Sequence, residues 1–131
     1  MERVKDCELP EEEYDIFRVT QLTRDTELQH TVAVDYVVVP RWKVSEVHRH
    51  NNAETVLFIL SGSGEVIVGE EEMGVKKGDR VRIGKGIFHG VRTDHEELVF
   101  ISVQSPPILD KASGALDLEP LKKEVRGGRN A

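Results

Sequence analysis

Short runs of apolar and β-branched residues recur along most of this chain, and glycine, proline or polar turns separate them. Runs of this length and composition are typical of β-strands, and they leave no room for a long helix between them. They lie at residues 30–39, 42–50, 55–60, 65–68, 73–75, 81–83, 88–92 and 98–103. From Ile16 onward the pattern predicts about nine short strands, arranged as a sandwich or barrel.

The two ends of the chain do not follow this pattern. Residues 1–15 are acidic and predict a loosely ordered lead-in. Between the ends, within the strand region, residues 61–64 (SGSG) predict a turn between two strands. After residues 106–107 (PP) the strand pattern stops, and the tail allows one helical turn around 116–125 before a frayed end at 127–131. We therefore predict a single all-β domain over residues 1–131, with a barrel core at about 16–104 and a C-terminal tail at 105–131.

The charge balance narrows the range of partners. The chain has 18 Lys and Arg against 24 Asp and Glu, a net charge of −6, which argues against a nucleic-acid backbone as the main partner. No apolar stretch approaches the roughly 20 residues that span a bilayer, and Cys7 is the only cysteine. We expect a cytoplasmic protein with neither a nucleic-acid nor a membrane partner.

Three histidines are the strongest candidates for chemistry. His48 and His50 are two residues apart, and side chains at that spacing on a strand point to the same face. Two neutral imidazoles side by side can hold a metal ion at about 2.0–2.1 Å. His89 is remote in sequence, just after a glycine-rich turn, and it completes this site only if two strands face each other inside a barrel.

The residues around these histidines carry a resemblance to a known family. Residues 48–54 (HRHNNAE) are followed by an apolar strand and Gly62, and residues 78–89 are GDRVRIGKGIFH. Together and in this order, the two stretches resemble the two motifs of the cupin family, over residues 35–104. The resemblance implies a double-stranded β-helix, or jelly-roll, barrel. It also implies a metal site built from His48, His50 and His89.

The fourth metal ligand has two readings. Counting forward from His50, Glu54 occupies the place of the family's metal-binding carboxylate, whereas counting back from Gly62 puts Thr55 there. A slip of one residue moves a side chain to the opposite face of a strand, so Glu54 reaches the metal only if a bulge precedes the strand. The alternative is three histidines plus water. The ligand types predict a divalent transition metal without distinguishing Fe, Mn, Ni, Zn or Cu.

The resemblance implies an enzyme that acts on a small oxygenated organic molecule, of the dioxygenase or isomerase/epimerase type. A non-catalytic small-molecule-binding module or sensor is the alternative, and a barrel with a vestigial metal is the third possibility. Basic side chains that are candidates for holding a substrate carboxylate are Arg49, Arg82, Arg92 and Lys85. Gln104 and Tyr36 are candidates for the mouth of the barrel.

A homodimer is the expected assembly. Cupins of this size resemble proteins that work as dimers. The valine-rich stretch from Asp35 to Val39 also reads as an edge strand, and an exposed edge needs a partner or a cover.

Overall fold

The computed structural model describes residues 1–5 and 8–122, and nearly all of its regular structure is strand. A 3-10 turn at Glu27–His30 is one exception. The strands are β1 (Glu11–Tyr14), β2 (Phe17–Gln21), β3 (Ala33–Val39), β4 (His48–Arg49), β5 (Glu54–Val68), β6 (Glu71–Lys76), β7 (Arg80–Ile83), β8 (His89–Arg92), β9 (Leu98–Ser105) and β10 (Glu119–Pro120). In the described ranges, no helix is long and apolar enough to cross a membrane.

The strands form two curled antiparallel sheets that share one strand. The first sheet has the order β1-β2-β3-β9-β5-β7. The second has the order β10-β4-β8-β5-β6. The two sheets curl around one cavity, and this architecture confirms the predicted all-β jelly-roll barrel of the double-stranded β-helix type.

The shared strand, β5, is where the predicted turn at residues 61–64 proves wrong. The chain does not reverse there but continues through a bulge between Ile59 and Ser61. Gly62 has a φ of 78°, and a Cβ at this position would lie 1.8 Å from the backbone oxygen of Glu97. Glycine is therefore required here for a positive φ and a close approach within a strand. The bend lets β5 leave the first sheet and enter the second.

The prediction of a loosely ordered lead-in is wrong for residues 11–14. These residues form β1, which pairs with β2 along its whole length. All four side chains are exposed, so the strand is held by its hydrogen-bond ladder and leaves no pattern of buried residues in the sequence.

Two predicted strands are shorter in the structure. β3 begins at Ala33 and not at residue 30, because the 3-10 turn precedes it. Residues 42–50 form only the two-residue β4, and Trp42 has a φ of 60°, which is incompatible with an extended strand.

The tail also differs from its prediction. In the described part of the predicted helical turn at 116–125, the chain is extended and forms β10, which pairs with β4. Residues 123–125 and the predicted frayed end at 127–131 lie outside the described residues. Strands therefore extend beyond the predicted core of 16–104 at both ends.

The core lies between the two sheets. Leu98, Val39 and Val66 are fully buried; buried residues alternate with exposed ones along β7, and with half-buried ones along the middle of β9. This alternation places one face of each strand against the opposite sheet. One end of the interior remains open as a cavity, and the candidate site lies on its wall.

Candidate metal centre

The structure brings His48, His50 and His89 together on the second sheet. His48 on β4 is the cross-strand partner of His89 on β8, and His50 follows β4 by one residue. The ring centroids are 4.7 Å apart for His48 and His89, 5.0 Å for His48 and His50, and 5.1 Å for His50 and His89. All three side chains are buried. One ring nitrogen from each lies within 4.8 Å of the other two.

Backbone carbonyls orient two of the three rings. The Nδ1–H group of His50 donates to the carbonyl oxygen of Asp117 at 2.7 Å, and that of His89 donates to Ile87 at 2.9 Å. A carbonyl oxygen only accepts, so both Nδ1 atoms carry the hydrogen and both Nε2 atoms keep a lone pair. Buried Nδ1 of His48 has no partner among residues 1–5 and 8–122. Three neutral imidazoles with free ring nitrogens are a donor set that suits a divalent transition metal.

Burial keeps these histidines uncharged. Burial, with the neighbouring His89 and His50, lowers the pKa of His48 to about 3. Burial also lowers the pKa of His89 to about 4, against the opposing effect of its hydrogen bond to Ile87. The pKa of His50 is lowered by burial too, although the hydrogen bond to Asp117 opposes the shift. At neutral pH all three rings are in the form that binds metal ions.

We expect the metal-free protein to lose stability when the pH falls below the ordinary histidine pKa of 6.5. Unfolded histidines then take up protons that folded His48 and His89 do not, which costs about 1.4 kcal/mol per pH unit for each. Asp35 has the opposite sign, because burial raises its pKa to about 6 and the folded state binds the proton first. Between about pH 6.5 and pH 5 the two histidines together cost about 3 kcal/mol and Asp35 offsets about 1 kcal/mol of this, so the net loss is about 2 kcal/mol.

Urea unfolding of chelator-treated protein at about pH 5, 6.5 and 8 measures this dependence. The double variant His48→Ala, His89→Ala should flatten it. Equal stability at all three pH values in the unmodified protein would contradict the prediction.

The C-terminal segment at residues 107–122, which we call the strap, is hydrogen-bonded to the loop at residues 50–53 after β4, which we call the histidine loop. The Asp117 carboxylate accepts the backbone N–H groups of Asn51 at 2.7 Å, Asn52 at 2.9 Å and Ala53 at 3.2 Å. Together with the carbonyl of Asp117 that accepts from His50, one strap residue holds the whole loop after β4. Sequence analysis missed Asp117, because nothing in its local pattern links it to residues more than 60 positions earlier.

A second strap residue holds the outside of the same loop. The Glu119 carboxylate accepts from Arg49 at 3.0 Å and from the Asn51 amide at 3.2 Å, and these hydrogen bonds lower the pKa of Glu119. The guanidinium of Arg49 lies over the ring of Phe88 at 4.7 Å. Arg49 therefore packs between the strap and Phe88, the residue before β8, and does not line the cavity.

The structure does not bring Glu54 to the three histidines. Glu54 is the first residue of β5, and its half-exposed carboxylate pairs with Arg82. Thr55, the next residue, is buried and lines the cavity. Glu54 and Thr55 pair in continuous register with Ser105 and Gln104 of β9, with no bulge between them. Because side chains alternate along a strand, Glu54 points outward where Thr55 points inward. Glu54 is therefore not grouped with the histidines, and three histidines plus water stays a prediction.

The cavity beside the histidines has a volume of about 390 Å³. Its wall is mainly apolar and includes Val37, Leu57 and Phe100, and strap residues Ile108 and Leu118 close part of it. The predicted carboxylate-binding side chains Arg49, Arg82, Arg92 and Lys85 do not line it. Gln104 does line it, whereas Tyr36 lies exposed on the outer face of the first sheet.

The family model for the cupin domain matches residues 34–104, more than half of the chain. The chain belongs to the cupin family. This cupin is also 34% identical, over 77 residues, to an uncharacterized protein of Aquifex aeolicus. That alignment covers 58% of the cupin described here and 64% of the relative, so it spans less than two thirds of the relative's length.

Solved structures share the fold over most of the chain. The polyketide cyclase RemF from Streptomyces resistomycificus has a TM-score of 0.74 and 18% identity, with 95% of this cupin and 88% of that chain covered. A predicted oxalate decarboxylase from Thermotoga maritima has a TM-score of 0.70 and 17% identity, with 79% and 98% covered. At these identities the likeness establishes the fold alone.

Proposed function

We propose that this cupin binds one divalent transition-metal ion through His48, His50 and His89, and that it transforms a small oxygenated organic molecule in the adjoining cavity. The proposal rests on one observation: three buried, uncharged imidazoles converge on the wall of a mostly apolar cavity. A site with three protein ligands keeps coordination positions open, as catalytic metal sites do. A metal bound there would supply a Lewis acid for a substrate oxygen.

The protein's own residues would contribute orientation and exclusion of water. Backbone carbonyls fix the rings of His50 and His89, and the strap covers part of the cavity. Reactions that suit such a site are those of dioxygenases and of isomerases or epimerases. RemF, described as a polyketide cyclase, is an example of an enzyme on this fold, and a shared fold does not fix the function.

The test separates metal binding from turnover. The purified protein is stripped with a chelator and reloaded separately with Fe²⁺, Mn²⁺, Ni²⁺, Cu²⁺ or Zn²⁺. Each form is then incubated with a panel of small hydroxy, keto and carboxylic compounds. We expect one metal per chain and turnover that the stripped protein lacks. Stabilisation by a panel compound without turnover would favour the non-catalytic binding module or sensor. The proposal would be refuted if the protein bound none of the five metals.

We also propose a homodimer, though not for the reason given by the sequence. β3 is not an edge strand, because it pairs with β2 on one side and β9 on the other. The support is instead the outer face of the first sheet, where Tyr36 and Phe58 are 38% and 43% exposed and Ile101 lies between them in the register. An apolar face of this kind is suited to pairing with a second copy.

Size-exclusion chromatography with light scattering should give twice the chain mass for the unmodified protein. The double variant Tyr36→Glu, Phe58→Glu should shift it to the monomer mass. The control Met73→Glu introduces one such charge at an exposed residue of the second sheet and should remain dimeric. A monomer mass for the unmodified protein would contradict the prediction.

A further inference from the structure

Four polar side chains lie together on the inner face of the first sheet. Asp35 on β3 is directly opposite Ser102 on β9, and Gln104 on β9 is directly opposite Thr55 on β5. Directly opposite residues of antiparallel strands share a face, and so do residues two positions apart on one strand. All four line the cavity that holds the three histidines. We call Asp35, Ser102, Gln104 and Thr55 the polar row.

Two members of the polar row have unused hydrogen-bonding capacity. Thr55 is 2% exposed and Gln104 is 9% exposed. Thr55 Oγ1 and Gln104 Oε1 have no hydrogen-bond partner in the part of the chain that the structure describes. A buried polar atom without a partner costs free energy, so native proteins rarely keep one without a use. On a cavity wall, the natural partner is a bound molecule.

The atoms of the row determine what that molecule must offer. The Gln104 Oε1 atom and the Asp35 carboxylate accept hydrogen bonds, whereas the hydroxyls of Thr55 and Ser102 both accept and donate. Several acceptors in a row require a ligand with several donors. Hydroxyl groups meet this requirement and also satisfy the threonine and serine hydroxyls.

The charges near the row disfavour an anion at this end of the cavity. Asp35 would repel it, and burial raises the pKa of Asp35 to about 6, with Lys111 lowering and Glu12 raising it. The cationic side chains that line the cavity in the described ranges are Arg24 and Lys111. Arg24 pairs with Glu12. Lys111 donates to the Gln21 side chain, and its charge is opposed by that of Asp35.

We propose that the polar row binds the hydroxyl groups of an uncharged, polyhydroxylated part of the substrate, such as a sugar or polyol. The inference rests on the proposed function, because it places this molecule in the same cavity as the three histidines. It assigns substrate specificity to the first sheet and metal binding to the second.

The test uses isosteric changes that remove hydrogen bonding and keep volume. The double variant Thr55→Val, Gln104→Met is compared with the unmodified protein and with Thr20→Val. This control makes the same chemical change on the outer face of the first sheet, opposite Tyr36. Binding is measured by saturation-transfer NMR on the zinc-loaded proteins. The probes are D-xylose, D-ribose, 2-deoxy-D-ribose and myo-inositol, with succinate as an anion of similar size.

We expect the hydroxylated probes to bind the unmodified protein and Thr20→Val, and to bind the double variant at least tenfold more weakly. The double variant should also unfold at a higher temperature, because two unpartnered polar atoms have been removed, and its zinc content should be unchanged. Unchanged probe binding in the double variant, a lower unfolding temperature, binding of succinate alone, or binding of no probe would each overturn the inference. If the unmodified protein binds none of the five metals, the proposed function fails, and probe binding to the metal-free protein then decides this inference separately.

Discussion

Replacing His48, His50 and His89 together with alanine should abolish metal binding while the chain still folds. The three rings are the group on the cavity wall that could hold a metal ion, and water cannot replace them with comparable affinity. Loss of a hydrogen-bond partner behind a ligand typically costs about 10–100-fold in metal affinity, so we expect loss of the ligands themselves to cost more than about 100-fold.

Competition with a chromophoric chelator measures this affinity, and metal analysis after purification gives the content. The matched control is His30→Ala, His95→Ala, because both of these histidines are exposed and lie outside the cluster. The control should keep one metal per chain. Full metal content in the triple variant would refute the assignment of the site.

The spacing of these histidines explains why sequence reasoning reached them. Two residues at positions i and i+2 on a strand share a face whatever the rest of the chain does. The glycine-rich turn before His89 reads locally as well. The meeting of His89 with the other two depends on the barrel, and only the resemblance to the cupin family supplied that expectation.

Other features could not be read locally, for identifiable reasons. Gly62 lies in a run whose composition is typical of a turn. Its role is instead set by the close approach of the carbonyl of Glu97, the residue before β9. The choice between Glu54 and Thr55 depended on whether a bulge precedes β5, and a bulge has no reliable sequence signal. The position of the strap could not be predicted from a strand pattern in its sequence. It depends mainly on side-chain and carbonyl contacts to residues 47–53.

The strap leads to the second large effect. Replacing Asp117 with alanine should lower the free energy of unfolding by about 3 kcal/mol, because three backbone N–H groups lose a charged acceptor. Metal affinity should fall by about 10–100-fold. The carbonyl that orients His50 belongs to Asp117 itself, so a strap released from Asn51, Asn52 and Ala53 no longer holds that ring in place.

The matched control is Asp110→Ala in the same strap. Among the residues that the structure describes, the Asp110 carboxylate accepts from its near neighbours Ala112 and Ser113 alone, so its removal leaves the histidine loop untouched and should not change metal affinity. Asp117→Asn should fall between the unmodified protein and Asp117→Ala, since the amide keeps one accepting oxygen and loses the charge.

A purely mechanical role for the strap predicts a different result. If Asp117 only adds stability, Asp117→Ala would bind metal normally whenever it is folded. If it positions His50, affinity falls even at temperatures where the variant is fully folded, and the NMR signal of a hydrogen-bonded Nδ1–H on His50 is lost. The geometry favours the second outcome. The strap contacts His50 through the main-chain oxygen of Asp117. That oxygen stays in place only while the Asp117 carboxylate holds the strap to the loop N–H groups.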